Sequence, residues 1–169
     1  MDVTDRIPLP GSLSIGHDCF ACGLANDRGM HIPYEKVGDA VEATFTLGEE
    51  FSGAPAYVHG GIVMTVLDEG MSWATIAVRG LFAVTRDFTS RFVRPVLVGQ
   101  PHLLRTECGE LDADGRTLRV TGKITRADGK TCTTAEATYY AMTVAETAAS
   151  AGLPSLPDEM LHAFGFVPS

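Results

Sequence analysis

The sequence predicts an α+β fold in which a single antiparallel β-sheet wraps around one long α-helix. Two patterns carry that prediction: an apolar stripe at helical spacing over about residues 60–79, and four later strands joined by tight turns. A third is a pair of alternating segments ahead of the helix. One helix covers much of one face of such a sheet. The edges and surface left over invite a second copy of the chain. At 169 residues the chain has room for one full core, and its net charge of −8 argues against nucleic acid or an anionic membrane as the main partner.

Residues 1–28 read as an extended arm and loop, residues 29–144 as the folded domain, and residues 145–169 as a linker and short helix. Within the domain, Met30, Ile32 and Tyr34 alternate, Val37-Gly38-Asp39 turns the chain, and Val41, Ala43 and Phe45 alternate again, which makes a hairpin. A Gly/Ser/Ala/Pro-rich loop (48–58) leads into the helix. Val63, Val66, Leu67, Gly70, Met71, Ala74 and Ala77 form its buried stripe, and Arg79-Gly80 ends it.

The strand Leu81–Val93 alternates imperfectly, so a bulge is expected. A second strand covers 102–111. Leu118, Val120, Gly122 and Ile124 face opposite to Arg119, Thr121 and Lys123, and Ala135, Ala137, Tyr139 and Ala141 give a last strand with a small-residue face. Asp114-Gly115 and Asp128-Gly129 are hairpin turns between these strands. In the tail, Leu156, Met160, Leu161 and Phe164 suggest an amphipathic helix that docks on the body.

The N-terminus lacks the basic start and apolar run of a secretory signal, and no apolar run approaches membrane-spanning length, so a cytoplasmic protein is expected. Cys19, Cys22, Cys108 and Cys132 are then thiols. Cys19-Phe20-Ala21-Cys22, with His17 and His31 nearby, could assemble four zinc ligands. Structural zinc sites usually show a second tight pair, and only one Cys-x-x-Cys exists here. The favoured reading is a packed loop, with no metal and no cofactor.

The residues that promise chemistry sit at the helix start. His59-Gly60-Gly61 opens an apolar helix that carries Asp68 and Glu69 two turns in. The first turn of a helix offers unpaired N–H groups and a positive dipole end to a negative oxygen, and glycine lets a ligand approach. Gly61, Thr65, Asp68 and Ser72 share one small, polar face, and Ser72 can reach the Asp68 carboxylate or a water beside it. Glu69 lies about 100° around the helix. His59 reads as a turn residue that satisfies backbone groups, with general-base chemistry as its alternative. Arg86, Arg91, Arg94 and Arg105 face only Asp87 between positions 85 and 106, a basic patch that suits a phosphate-bearing ligand or simply a solvated strand face.

Three motifs in order give a resemblance. Cys19-Phe20-Ala21-Cys22-Gly23, Val58-His59-Gly60-Gly61 with Asp68, and Arg91-Phe92-Val93-Arg94-Pro95-Val96 with Gly99 resemble the hotdog-fold acyl-CoA thioesterases, in particular their PaaI-like branch. The likeness runs from about Cys19 to Met142. It implies a catalytic acid at Asp68, acting as general base or nucleophile, and an oxyanion donor at the Gly60 N–H. It also implies an orienting hydroxyl at Ser72 and a further small hydroxyl at Thr85. The chain departs from that pattern at Gly53, where relatives often carry Asn or Gln.

Gly60 and Asp68 are eight residues apart, roughly 12 Å along a helix. One carbonyl cannot easily meet both, so Gly60 of one chain and Asp68 of another are expected to share a site, in a homodimer or a dimer of dimers. The leading expectation is hydrolysis of an acyl-CoA thioester, with Phe88 lining the acyl pocket and Arg86, Arg91 and Arg94 gripping the coenzyme A phosphates. The alternatives are a non-catalytic acyl-CoA-binding protein and an acyl thioester hydratase or dehydratase.

Overall fold

The computed structural model describes residues 6–9 and 19–163. Seven antiparallel strands form one sheet: β1 (Arg6–Pro8), β2 (Glu35–Val37), β3 (Ala40–Phe45), β6 (Phe82–Phe92), β7 (His102–Leu111), β8 (Thr117–Arg126) and β9 (Thr131–Met142). Their order across the sheet is β1-β2-β3-β7-β8-β9-β6. Strands β4 (Ser52–Ala54) and β5 (Tyr57–Val58) pair separately, as a small hairpin inside the segment read as a loop. Helix α1 (Gly60–Arg79) packs against β3, β6, β7 and β8. Two short helices, α2 (Val144–Ser150) and α3 (Asp158–Ala163), follow the sheet.

Helix and sheet meet closely because two glycines face each other's layers. A Cβ on Gly70 would fall on Leu104, and one on Gly122 would come within 2.9 Å of Leu67 and 3.1 Å of the Met71 sulfur. Around this contact Val66, Leu67, Met71, Leu104, Leu118, Val120 and Ile124 are fully buried. Interiors packed at this density tolerate no added methyl group without displacement. Gly38, Gly80, Gly115 and Gly129 all adopt positive φ, so the expected turns and helix stop stand where the sequence puts them. The irregularity expected in the first post-helix strand is a register shift between Thr85 and Asp87.

Some expectations change. Met30, Ile32 and Tyr34 are buried as their alternation implies, yet they precede β2. Met30 and Ile32 donate their N–H groups to the carbonyls of Phe20 and Ala21, so the loop at 19–23, not a full strand, is their partner. Part of the presumed linker is helical: Thr143 and Glu146 form a reciprocal capping box that starts α2. The tail does dock, since Leu156 and Leu161 pack with Ala148 and Phe82 in a second apolar cluster; Phe164 lies outside the described residues.

Helix α1 is long and apolar enough to span a membrane by length and composition, contrary to the expectation that no run would be. Its apolar side is instead committed to the sheet. Among the described residues strand β6 ends the sheet with an unpaired edge, and Val84 and Phe92 on it are about half exposed.

Candidate active site

Asp68 stands in the second turn after Gly61, half-buried, facing the sheet edge. Thr85 on β6 donates its hydroxyl to Asp68 Oδ1 at 2.7 Å, and Tyr139 on β9 donates to the same oxygen at 3.1 Å. The Tyr139 hydroxyl also lies 3.1 Å from the Asp68 carbonyl. Thr85 and Tyr139 are register partners on adjacent strands, which is how two hydroxyls reach one carboxylate oxygen. Burial pushes the Tyr139 phenol up, so it remains a donor. Oδ2 has no hydrogen-bond partner among the described residues. Met64, Thr65, Asp68, Thr85 and Phe88 line a groove of about 280 Å³ between helix and edge strand.

Ser72 corrects the sequence reading in part. It shares the face with Asp68 but donates to the Tyr139 hydroxyl at 3.4 Å, so it reaches the carboxylate only through the tyrosine. Tyr139 is the residue that sequence reasoning missed as a site member. Its alternation marked it as core, and a buried tyrosine needs a hydrogen-bond partner; that was the available signal.

At the helix start, the Gly61 N–H donates to His59 Nδ1 at 3.0 Å, so His59 is the helix cap and Gly61 is spoken for. The Gly60 N–H has no partner among the described residues. Phe92 comes within 3.7 Å of where a Gly60 Cβ would sit. Gly53 has a steric cause: a Cβ there would lie 2.8 Å from His59 Cα, which leaves no room for an Asn or Gln side chain in this backbone.

The arginines divide. Arg105 lies on β7, away from β6, and pairs with Glu42 and Glu107, so it leaves the presumed basic patch. Arg86 stacks over the Tyr140 ring at 5.7 Å, and Arg94 donates to the Thr131 carbonyl at 3.0 Å. Arg86, Arg91 and Arg94 are exposed along or just after the same edge strand.

Glu69 points the other way, as its 100° offset implies. Its Oε1 accepts from the Cys22 thiol at 2.9 Å and the Cys19 thiol at 3.4 Å. Burial pushes the Glu69 carboxyl up to about 7. The Cys22 thiol and nearby amides hold Cys19 down at about 5, and the same proximity holds Cys22 well above the usual thiol range. Glu69 is thus half-buried and engaged by two thiols. His31 contacts the Asn26 carbonyl instead, and His17 lies outside the described residues.

Residues 56–133 match the thioesterase superfamily. A crystallographically solved thioesterase superfamily protein is 28% identical with a TM-score of 0.69, covering 73% of this chain and 60% of that one, so the match spans under two thirds of its length. The E. coli PaaI protein from the phenylacetic acid degradation operon is similar at 18% identity and a TM-score of 0.61, covering 68% and 81%. A hypothetical thioesterase from Streptococcus pneumoniae, solved with coenzyme A, is similar at 20% identity and a TM-score of 0.60, covering 66% and 88%. These last two are likenesses of fold. No curated protein matches the chain in sequence. The matched segment contains all of α1 and β6, and the sheet around them has the shared architecture; the chain has the hotdog fold, and residues 56–133 of it are similar to the thioesterase superfamily.

Proposed function

We propose that the chain hydrolyses acyl-CoA thioesters at two equivalent sites, each built across the interface of a homodimer. The observation that carries this reading is the Asp68 carboxylate, with Oδ1 clamped by two hydroxyls and Oδ2 unengaged beside a groove. Two hydroxyl donors fix the orientation of the Asp68 carboxylate and leave one oxygen available for chemistry. Oδ2 either takes a proton from water, whose oxygen then attacks the thioester carbon, or attacks that carbon itself. In both routes the carbonyl oxygen becomes an oxyanion and collapse breaks the C–S bond. In the first, the proton held by Asp68 passes to the leaving sulfur and the acid is free. In the second, the thiolate takes a proton from solvent, and water then hydrolyses the acyl-aspartyl anhydride, which frees the acid and restores Asp68.

The oxyanion needs a donor, and the Gly60 N–H at the positive end of α1 is one. Eight residues of helix separate it from Asp68 in one chain, about 12 Å. A two-fold axis at the β6 edge sets two copies of α1 side by side and antiparallel, which brings Gly60 of one protomer toward Asp68 of its partner. An eleven-residue edge strand with exposed Val84 and Phe92 is a surface that pairing would satisfy. Phe88 and Met64 supply the apolar wall for an acyl group, and Arg86, Arg91 and Arg94 the cations for phosphates. The coenzyme A held by the Streptococcus pneumoniae protein fits that ligand class. All four cysteines are free thiols, which suits a reducing, cytoplasmic setting.

The test is release of free thiol from a panel of acyl-CoAs, followed in wild type and in Asp68→Asn. Turnover that Asp68→Asn abolishes, with the fold intact, supports the reading. Binding without turnover in the wild type makes the chain an acyl-CoA-binding protein instead.

A further inference from the structure

The Cys19–Cys22 loop and Glu69 play no part in the chemistry proposed above, yet they converge. The loop is tightly built: the Gly23 N–H donates to the Cys19 carbonyl at 2.8 Å, and the Cys22 N–H donates to Cys19 Sγ at 3.4 Å. An amide aimed at sulfur favours a thiolate. The adjoining residues are fixed as well, by the Met30 and Ile32 N–H groups on Phe20 and Ala21. Glu69 arrives from the middle of α1, and one ligand atom from each of the three residues lies within 4.8 Å of the others.

Charge is the second consideration. Cys22 is buried and Cys19 and Glu69 half-buried, so three acidic groups meet where water has limited access. Among the described residues no Lys, Arg or His forms an ion pair with Glu69. A buried carboxylate without a counter-charge is costly. Two thiolates and a carboxylate are the donor set of a zinc-type ion.

Size agrees. A tetrahedral zinc with bonds of about 2.3 Å to sulfur and about 2.0 Å to oxygen places a sulfur and an oxygen about 3.5 Å apart. Cys19 Sγ and Cys22 Sγ stand 3.4 and 2.9 Å from Glu69 Oε1. One edge of the polyhedron is in place and the other needs to open by about 0.6 Å, within reach of a single side-chain rotation.

We propose that Cys19, Cys22 and Glu69 bind one zinc-class divalent cation, with solvent free to complete the tetrahedron, and that this ion ties the loop ahead of β2 to the centre of α1. The role is structural. Glu69 adjoins Asp68 in sequence but faces away from the groove, so the ion fixes the rotation of the helix turn that carries Asp68 and touches no substrate. The proposal stands whether or not the protein hydrolyses thioesters, because its readout is metal.

The experiment is a cobalt(II) titration of the full chain, reduced and freed of metal, followed by absorbance. The expected result is one equivalent bound per chain, with visible bands of a tetrahedral site and a thiolate-to-cobalt charge-transfer band in the near ultraviolet, all displaced by zinc. Cys22→Ser weakens or removes the charge-transfer band. Glu69→Gln keeps sulfur-to-cobalt absorption but binds at least about tenfold more weakly, as loss of one ligand implies. No cobalt spectrum in the wild type overturns the proposal, and that result requires no variant to fold. An identical spectrum in Cys22→Ser, or a Cys19–Cys22 disulfide forming while no metal is retained under reducing conditions, overturns it too.

Discussion

Replacing Thr85 with valine removes the shorter of the two hydroxyl bonds to Asp68 at almost constant volume. Thr85 is exposed, so the change leaves stability within about 0.5 kcal/mol. A hydrogen bond to a charged group is worth about 1.5–3 kcal/mol, and water at this exposed position recovers part of it. The lower end, about 1.5 kcal/mol, is a fall in kcat of roughly tenfold. Tyr139 is fully buried, so no water replaces its hydroxyl, and Tyr139→Phe also strands the Ser72 hydroxyl. Its loss of about 2–3 kcal/mol corresponds to a fall of roughly 30- to 150-fold. Because both donors converge on Oδ1, the double variant departs from additivity, by about 0.5–3 kcal/mol. The assay is coenzyme A release followed with a thiol reagent, with KM nearly unchanged because the clamp orients the acid and does not grip the substrate. If both variants stay within twofold of wild-type kcat, Asp68 does not need its clamp and the reasoning fails.

Gly60→Pro removes one N–H and little else. Proline is tolerated at the first helical position, and His59, at φ −59° and ψ 136°, already has the conformation that precedes proline. The expected outcome is a folded protein whose kcat falls about 10²- to 10³-fold, the usual cost of losing an oxyanion donor, while Gly60→Ala retains far more; equal activity of the two variants refutes the donor role. Val84→Lys puts a charge on the exposed β6 edge, and sedimentation should show monomers that also lack turnover. A Val84→Lys dimer with full activity moves the interface elsewhere.

His102 is buried, with Nδ1 facing the Gln100 carbonyl at 2.9 Å and Nε2 accepting the Leu97 N–H at 3.3 Å, so it folds neutral and burial lowers its pKa. Below about pH 6.5 the unfolded chain binds the extra proton, so stability falls as pH falls, by up to about 1.4 kcal/mol per pH unit. Denaturant midpoints between pH 8 and pH 5.5 should fall less steeply in His102→Gln. Equal slopes exclude this histidine as the cause.

Local rules made much of the fold readable. The Asp-Gly turns, the helix stop at Gly80 and the period-two faces of β8 are properties of short segments, and each stands where the pattern put it. The small hairpin β4–β5 and helix α2 were not readable, because a two- or three-residue strand has too little pattern and an alanine-rich cap resembles a linker. The site divided the same way. The polar face of α1 followed from helical spacing, but the Oδ1 clamp depends on register between β6 and β9, which joins Thr85 to Tyr139 across 54 residues. No local pattern reports that pairing. Glu69 illustrates the same limit, since its partners are contributed by a loop 47 and 50 residues earlier.

The central claim, that one protomer's helix start and its partner's carboxylate share a substrate, is tested most directly by mixing two inactive variants. Asp68→Asn keeps Gly60, and Gly60→Pro keeps Asp68. Subunits of the two, unfolded and refolded together in equal amounts, give mixed dimers as about half of all dimers, each with one intact site and one doubly defective site. The account predicts recovery of about a quarter of wild-type turnover. Activity no greater than that of the separate variants, with mixed dimers shown to have formed, places both groups in one chain and contradicts it.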